Sequence, residues 1–232
     1  MRLYTYALRI DDGAAPNPYG GVCTLTVCKP VIRRTAEVGD WVVGLGPTHA
    51  PDGRDLSRHI VYAMQVSRKL TYAEYDHHCQ TKLKAKMPDW SPTAPFAHQV
   101  GDCLYEPIVG GRFRQRPGVH GPRNADTDVR GANALLAEHT FFYFGDQAVS
   151  LPTEFHGIAH AHQGHKVHLN EGCKNEVVEW ILGGFGRDLR PRILYGQPLH
   201  RSLIEPTDDP SSCDVCSKPR IAPEEEEVAA IC

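Results

Sequence analysis

The chain has 232 residues, a hydrophobic fraction of 41% and a formal net charge of -3. This length is sufficient for one sizeable core and short for two full domains. The sequence has no run of about 18 apolar residues, and its first residues lack a basic region followed by an apolar one. We therefore expect a cytoplasmic protein, neither secreted nor membrane-spanning. The eight cysteines are scattered, which favours reduced thiols over a disulfide framework.

Charge is distributed unevenly along the chain. Residues 205–232 contain eight acidic and two basic residues, a net charge of -6, which leaves residues 1–204 at +3. The acidic segment is poor in core-forming residues, so we predict one folded domain over residues 1–204 and a disordered tail over 205–232. A mildly basic body is compatible with nucleic acid as a partner.

Hydrophobic periodicity predicts the regular elements of the first half of the chain. Thr71 is placed to cap a helix, and Glu74 closes a capping box with it. Residues 13–21 are too rich in glycine and proline for a helix or a strand, so they form a shaped loop. The predicted elements are strands at Leu3–Ile10, residues 41–46 and Ile60–Val66, and a helix at Tyr72–Leu83.

The second half of the chain is patterned less evenly. Residues 88–130 contain six prolines and several arginines, which indicates a long ordered surface segment. Thr140–Phe144 is predicted to be a short strand. Asn175–Leu182 has an apolar face with helical spacing, and Gly183 and Gly184 are expected to end that helix.

Two places combine acidic or amide groups with glycines that permit close backbone approach. Asp11 and Asn17 lie in the loop after the first predicted strand, and Asp102 lies in Gly101-Asp-Cys-Leu-Tyr105. The carboxyl groups suit acid-base chemistry, and the amide can orient a water molecule. They equally suit a turn or a helix cap in which the side chains bond their own backbone.

Two basic stretches are candidates for phosphate contact, with plain surface charge as the alternative. The first contains Lys29, Arg33 and Arg34, close behind the loop that carries Asp11. The second contains Arg112 and Arg114, interleaved with Phe113 and followed by His120.

The densest group of histidines comprises His156, His160, His162, His165 and His168. Short spacings of this kind can hold a transition metal, but the intervening glycines and alanines favour a loop whose histidines make hydrogen bonds, with His165 as a candidate phosphate contact. Cys213 and Cys216 form half of a zinc ribbon without a second half. We therefore predict no metal and no cofactor, and leave both clusters open as alternatives.

Several motifs resemble the second of the nucleotide-modification-associated domain families. They are the run from Tyr4 to Arg33 with its Ala-Pro-Asn-Pro loop, the run Val38–Gly44, Gly101-Asp-x-x-Tyr105 and Phe142-Tyr-Phe-Gly145. The resemblance spans roughly residues 1–190 and implies work on modified DNA bases in phage or bacterial systems. The stretch from Gly39 to Tyr75 is also similar to EVE and PUA-like barrels, which hold a flipped base. Together these imply an α+β fold built on a small, mostly antiparallel PUA/EVE-like β-barrel with helices around it.

The resulting hypothesis is a DNA glycosylase that recognises a hypermodified base flipped from phage DNA and cleaves its N-glycosidic bond, in antiphage defence. Asp11 is expected to stabilise the sugar cation and Asn17 to orient water, with Asp102 as the alternative acid or base and Lys29 as an alternative amine nucleophile. Base stacking is expected from Tyr4, Tyr6 and Tyr19. A non-catalytic reader of modified bases, and a base-modifying transferase or amidohydrolase, are the alternatives. The oligomeric state stays open.

Overall fold

A computed structural model describes residues 1–131, 133–159, 164–185 and 192–203. The strands are β1 (Leu3–Ala7), β2 (Cys23–Leu25), β3 (Trp41–Leu45), β4 (His59–Gln65), β5 (Arg68–Thr71), β6 (Tyr105–Ile108), β7 (Arg112–Gln115), β8 (Asn133–Ala137), β9 (Phe141–Tyr143), β10 (Val149–Ser150) and β11 (Arg192–Leu194). The α-helices are α1 (Pro30–Thr35), α2 (Tyr72–Thr81), α3 (Phe96–Gln99), α4 (Ala125–Gly131) and α5 (Lys174–Phe185). Within the described ranges, no helix is both long enough and apolar enough to cross a membrane.

The main sheet has the strand order β1-β3-β4-β9-β11, with β10 paired to β4. Its inner strands are apolar on both faces because each face is covered by a separate core cluster. Tyr4 and Val42 belong to the cluster on one face, while Leu3, Trp41 and Val43 belong to the cluster on the other. This alternation along β1 and β3 is the period-two pattern of a strand buried on both sides.

A second sheet, β2-β8-β5, and the two-stranded β6-β7 hairpin complete the β structure of the described residues. Helix α2 packs near this sheet through Tyr75 and Cys79, in a cluster with Leu70 and Leu136. The chain leaves β2, turns through residues 26–29 and enters α1 at Pro30. Helix α4 lies against α1, so the turn before α1 and the start of α4 are brought together.

The α+β class is confirmed, and most described strand pairs are antiparallel, with β1-β3 and β9-β11 parallel. The sheets described are open ones, so they give no support to a PUA/EVE-like barrel. The capping box at Thr71 is confirmed, with Glu74 bonded to the Thr71 backbone and hydroxyl. The predicted stop at Gly183 is wrong, because α5 continues to Phe185. The predicted acidic tail lies outside the described residues.

Candidate functional site

A cysteine, a histidine and an aspartate form a hydrogen-bonded series where α1 and α4 meet. The Sγ atom of Cys28 lies 3.4 Å from Nε2 of His120. On the other side of the ring, Nδ1 of His120 lies 2.6 Å from Oδ2 of Asp128. His120 and Asp128 are buried, whereas Cys28 is partly exposed. Cys28 is therefore the member of the series that lies nearest the solvent.

The backbone at the cysteine has an unusual conformation. Cys28 and Lys29 both have positive φ, 56° and 41°, although neither is glycine. A side chain in this left-handed region costs free energy, and such strain is found preferentially at functional positions. Pro30, whose ring fixes a helical φ, then begins α1. The strained turn between β2 and α1 is what presents the Cys28 side chain to His120.

Asp128 is held by several donors in addition to His120. Its Oδ1 accepts the backbone N–H of Cys28 at 2.8 Å, and its Oδ2 accepts the hydroxyl of Tyr105 at 2.8 Å. The ring of Tyr105 stacks on that of Tyr72 with centroids 5.4 Å apart. The carboxylate is thus fixed both to the strained turn and to the base of the β6-β7 hairpin.

Electrostatics favours a charged pair at the buried end of the series. Burial alone lowers the pKa of His120, but Cys28 and Asp128 outweigh it and hold that pKa well above its usual value. Burial alone raises the pKa of Asp128, but the interaction with His120, helped by Arg33, lowers it below its usual value. An imidazolium beside a carboxylate is the resulting state.

The same three side chains offer a thiol, an imidazole and a carboxylate whose ligand atoms lie within 4.8 Å of one another. A structural zinc site needs four ligands, and a catalytic one uses three plus a water. Here Asp128 already accepts bonds from His120, Tyr105 and the Cys28 backbone. The direct hydrogen bonds between the members, in the order thiol, imidazole, carboxylate, match a nucleophile, a base and an orienting acid.

Asp11 lies elsewhere, wholly buried in the loop that follows β1. Its carboxyl group accepts the hydroxyl of Tyr143 at 2.7 Å and the backbone N–H of Leu199 at 3.1 Å. Burial raises the pKa of Asp11 to about 7, and the two hydrogen bonds offset only part of that effect. The group therefore gains a proton near neutral pH while fastening the chain around Leu199 to the main sheet.

The polar groups of Asn17 and Asp102 both have buried hydrogen-bond partners. Asn17 donates to the carbonyl of Val100 and accepts from the ammonium of Lys86. Lys86 is fully buried and also donates to the backbone carbonyls of Asn17 and Val22. Asp102 accepts from the hydroxyls of Thr24 and Tyr75. These bonds occupy the polar groups of both predicted catalytic residues, as their alternative structural role requires.

The tyrosines predicted to stack on a base have different surroundings. Tyr4 and Tyr6 are 1% exposed and belong to the core of the main sheet, which is at odds with a base-stacking role. The Nζ atom of Lys29 lies 4.6 Å from the ring centroid of Tyr6, and Tyr6 shares a 2.8 Å hydroxyl contact with Tyr62. Tyr19 is half-buried, with its ring edge against Phe96.

The basic residues also divide into buried and exposed. Arg33 is 0% exposed, which is at odds with the predicted contact to a DNA phosphate. His165 is buried beside the ring of Tyr4. Arg34, Arg112 and Arg114 are exposed, and Arg114 pairs with Glu106 across the hairpin. Surface placement keeps Arg34 and Arg112 as candidates for phosphate contact.

The histidine group is only partly described. His156 contacts the carbonyl of Leu151 at 3.2 Å, the kind of hydrogen-bonding role expected for a loop. His168 is exposed in a short turn. His160 and His162 lie outside the described residues, as do Cys213 and Cys216.

Sequence reasoning missed the Cys28 series because its members are far apart in the chain. Cys28 and His120 are separated by 92 positions, and neither belongs to a known short motif. The one local signal was Cys28-Lys29-Pro30, a cysteine close before a proline that begins a helix. The segment 88–130, predicted to lie on the surface, instead supplies two buried members of the series.

Fold and site together define an α+β protein with a cysteine, histidine and aspartate series at a strained turn. The chain belongs to the family "nucleotide modification associated domain 2", whose model matches residues 1–202. The resemblance expected from the sequence is thereby confirmed, and the family's description associates it with nucleotide modification. Neither a curated protein nor a solved structure matches the chain.

Proposed function

We propose that this protein is a cysteine-dependent base-modifying enzyme, an amidohydrolase or acyltransferase that acts on a modified base. The observation that carries the proposal is the series itself, with Cys28 Sγ 3.4 Å from His120 Nε2 and His120 Nδ1 2.6 Å from Asp128. The family supplies the substrate class, because its description links it to nucleotide modification. Of the enzyme classes considered from the sequence, the transferase or amidohydrolase fits this geometry best.

The chemistry follows from the order of the three groups. The sulfur of Cys28 attacks the carbonyl carbon of an acyl group on the modified base, and His120 holds the thiol proton. As the tetrahedral intermediate breaks down, His120 returns that proton to the departing amine, and a thioester remains on Cys28. Water or a second amine then attacks the thioester, giving up its proton to His120 and releasing the sulfur. The acceptor decides between hydrolysis and transfer.

Asp128 does not need to exchange a proton in this cycle. Its carboxylate fixes the tautomer and orientation of His120 and stabilises the imidazolium, the role such a group has in other nucleophile-base-acid sites. Tyr105 keeps Oδ2 of Asp128 in place from the hairpin side. Partial exposure at Cys28 leaves the sulfur as the member that a substrate reaches.

The test is to incubate the purified chain with several natural phage DNAs carrying modified bases, and with the corresponding nucleotides. Nucleoside masses after digestion are expected to change while the glycosidic bond stays intact. Acid-quenched protein should carry an acyl adduct on Cys28, and Cys28→Ala should abolish both signals. Cys173→Ala is the matched control, since Cys173 is also a partly exposed free thiol. Full turnover by Cys28→Ala would reject the proposal.

Cleavage of the N-glycosidic bond is the second candidate, and the observation that favours it is Asp11. Its pKa of about 7 is suited to acid-base catalysis at neutral pH. Because Asp11 is completely buried, we rank it behind Cys28 as a candidate catalytic residue. Release of free bases and formation of abasic sites in the same incubation, lost in Asp11→Asn and retained in Cys28→Ala, would favour the glycosylase instead. DNA that is bound but chemically unaltered would favour the non-catalytic reader of modified bases.

A further inference from the structure

Behind the series lies a buried arginine that contacts two of its three members. Arg33 is 0% exposed. Its Nε donates to the carbonyl of Cys28 at 2.6 Å, and its Nη2 donates to the carbonyl of Asp128 at 2.6 Å. Its Nη1 donates to the hydroxyl of Tyr72 and to the carbonyl of Asn133, both at 2.9 Å. All four acceptors are neutral oxygens.

Burying a guanidinium is costly unless its donors are satisfied and its charge is balanced. Here four of the five N–H donors bond oxygens of the described residues, and the nearby anion that the charge stabilises is Asp128. The planar fork of arginine can hold several oxygens at fixed angles at once, which a lysine ammonium cannot. Arg33 therefore ties the strained Cys28 backbone to the helix that carries Asp128.

Tyr72 extends the same arrangement. Its hydroxyl accepts from Arg33 and lies 2.7 Å from the carbonyl of Thr26 and 2.8 Å from that of Asp128, to either of which it can donate. Its ring stacks on Tyr105, which donates to the Asp128 carboxylate. Arg33 and Tyr72 together brace the turn before α1 and the main chain of Asp128.

We infer that Arg33 is a positioning residue for the Cys28 reaction: it holds the left-handed turn that aims Sγ at His120 and fixes Asp128 behind the imidazole. The inference rests on the proposed function. The position of the Arg33 guanidinium also explains why residue 131 is a glycine. A Cβ atom there would lie 2.8 Å from Cζ of Arg33 and 2.9 Å from both terminal nitrogens, so any larger residue would displace the guanidinium.

The experiment compares Arg33→Met, Arg33→Lys and Gly131→Ala with Arg116→Met. Arg116 is a matched control because it is another largely buried arginine, 15% exposed at its side chain, that pairs with Asp76 instead of the series. The readout is the rate at which iodoacetamide alkylates Cys28 at pH 7, followed peptide by peptide, together with thermal melting of each variant.

A positioning role and a purely structural role for Arg33 predict opposite changes in the rate of Cys28 alkylation. If Arg33 only stabilises the fold, its loss loosens the turn, exposes the half-buried thiol and speeds alkylation. If it positions the series, Arg33→Met slows alkylation about tenfold or more, because small misplacements of reacting groups have large effects on rate. Arg33→Lys should recover part of the loss by keeping the charge and one or two donors. Gly131→Ala should also slow alkylation, because the added methyl group displaces the guanidinium although Arg33 itself is not substituted.

Arg33→Met that alkylates at the wild-type rate or faster would overturn the inference. If that variant fails to fold, Gly131→Ala decides in the same way. The variant His120→Ala distinguishes failure of this inference from failure of the proposed function. Should the wild type alkylate no faster than His120→Ala, Cys28 is not activated and the proposed function fails. A clear His120 effect without any effect of Arg33 or Gly131 would reject the positioning role alone.

Discussion

The Oδ1 atom of Asp128 accepts the backbone N–H of Cys28 at 2.8 Å. One carboxylate therefore binds both the imidazole that faces the sulfur and the main chain that carries it. This arrangement makes Asp128 the residue on which the geometry of the series depends most directly.

Asp128→Asn is expected to lower acyl-transfer or amidohydrolase activity by about 10²–10⁴-fold, because an amide favours the wrong imidazole tautomer and cannot stabilise the imidazolium. Initial rates on modified DNA measure the effect. Tyr105→Phe is the companion variant, since it removes one hydrogen bond to Asp128 and keeps its charge; it should reduce activity much less. Equal losses in the two variants would contradict the assigned role of the carboxylate.

Asp11 makes a separate prediction about stability and pH. Burial raises the pKa of Asp11 from 3.8 to about 7, so the unfolded chain ionises at lower pH than the folded one. Protonated Asp11 makes its full contribution to the free energy of unfolding below about pH 4. This contribution declines between about pH 4 and 7 and does not change further above that window. Asparagine does not titrate and can still bond Tyr143 and Leu199.

The free energy of unfolding of Asp11→Asn should therefore rise relative to wild type by about 1.4 kcal/mol per pH unit across the window. Urea denaturation at several pH values measures the difference. Curves that stay parallel from pH 4 to 7 would show that Asp11 ionises in the folded protein as it does in the unfolded one. Asp52→Asn, at an exposed carboxylate, is the control.

Lys86→Met should destabilise the fold strongly. Removing the buried ammonium leaves the three oxygens that it bonds, on Asn17 and Val22, without this donor. It also removes a positive charge that stabilises the Asp102 carboxylate. A loss of about 3–5 kcal/mol is expected for breaking a buried charged network. Chemical denaturation measures it, with Lys84→Met, an exposed lysine nearby, as control. Equal stability of the two variants would disprove the structural role.

Arg112→Ala tests whether the hairpin contacts nucleic acid. Arg112 is exposed at the start of β7, beside the turn that carries the 91% exposed Val109. Loss of one phosphate contact should weaken binding to all sequences and reduce the slope of log affinity against log salt by about one. Binding titrations at several salt concentrations measure the slope. Arg54→Ala, an exposed arginine paired with Asp52, should leave it unchanged.

The sequence predicted local features better than the candidate site. The capping box at Thr71 and the strands through Tyr4 and Val61 follow from residues that are adjacent in the chain, and the structure contains them. The end of α5 was missed because Val177 and Ile181 are packed in the core, and that packing outweighs the helix-breaking tendency of Gly183. Tertiary contacts decided this boundary.

The role of a polar residue depends on what surrounds it after folding. Asp11 and Asp102 have the carboxyl groups that acid-base catalysis requires, and Asn17 has an amide that can orient water. The fold nevertheless gives each of them buried hydrogen-bond partners. Apart from the proline that follows Cys28 at position 30, no local signature marks Cys28 and His120, because their relation exists only across β2, α1 and the distant segment before α4. The spacing of these residues along the sequence therefore does not predict that they are close in the fold.

The 92 positions between Cys28 and His120, and the 100 between Cys28 and Asp128, have a consequence for biosynthesis. During synthesis, the cysteine leaves the ribosome long before its partners have been translated. Until residues through α4 have emerged and docked, Cys28 lacks His120, so under the proposed mechanism the thiol of a nascent or truncated chain has no base to activate it. Reactivity at Cys28 would thus report that the body of the protein has been completed.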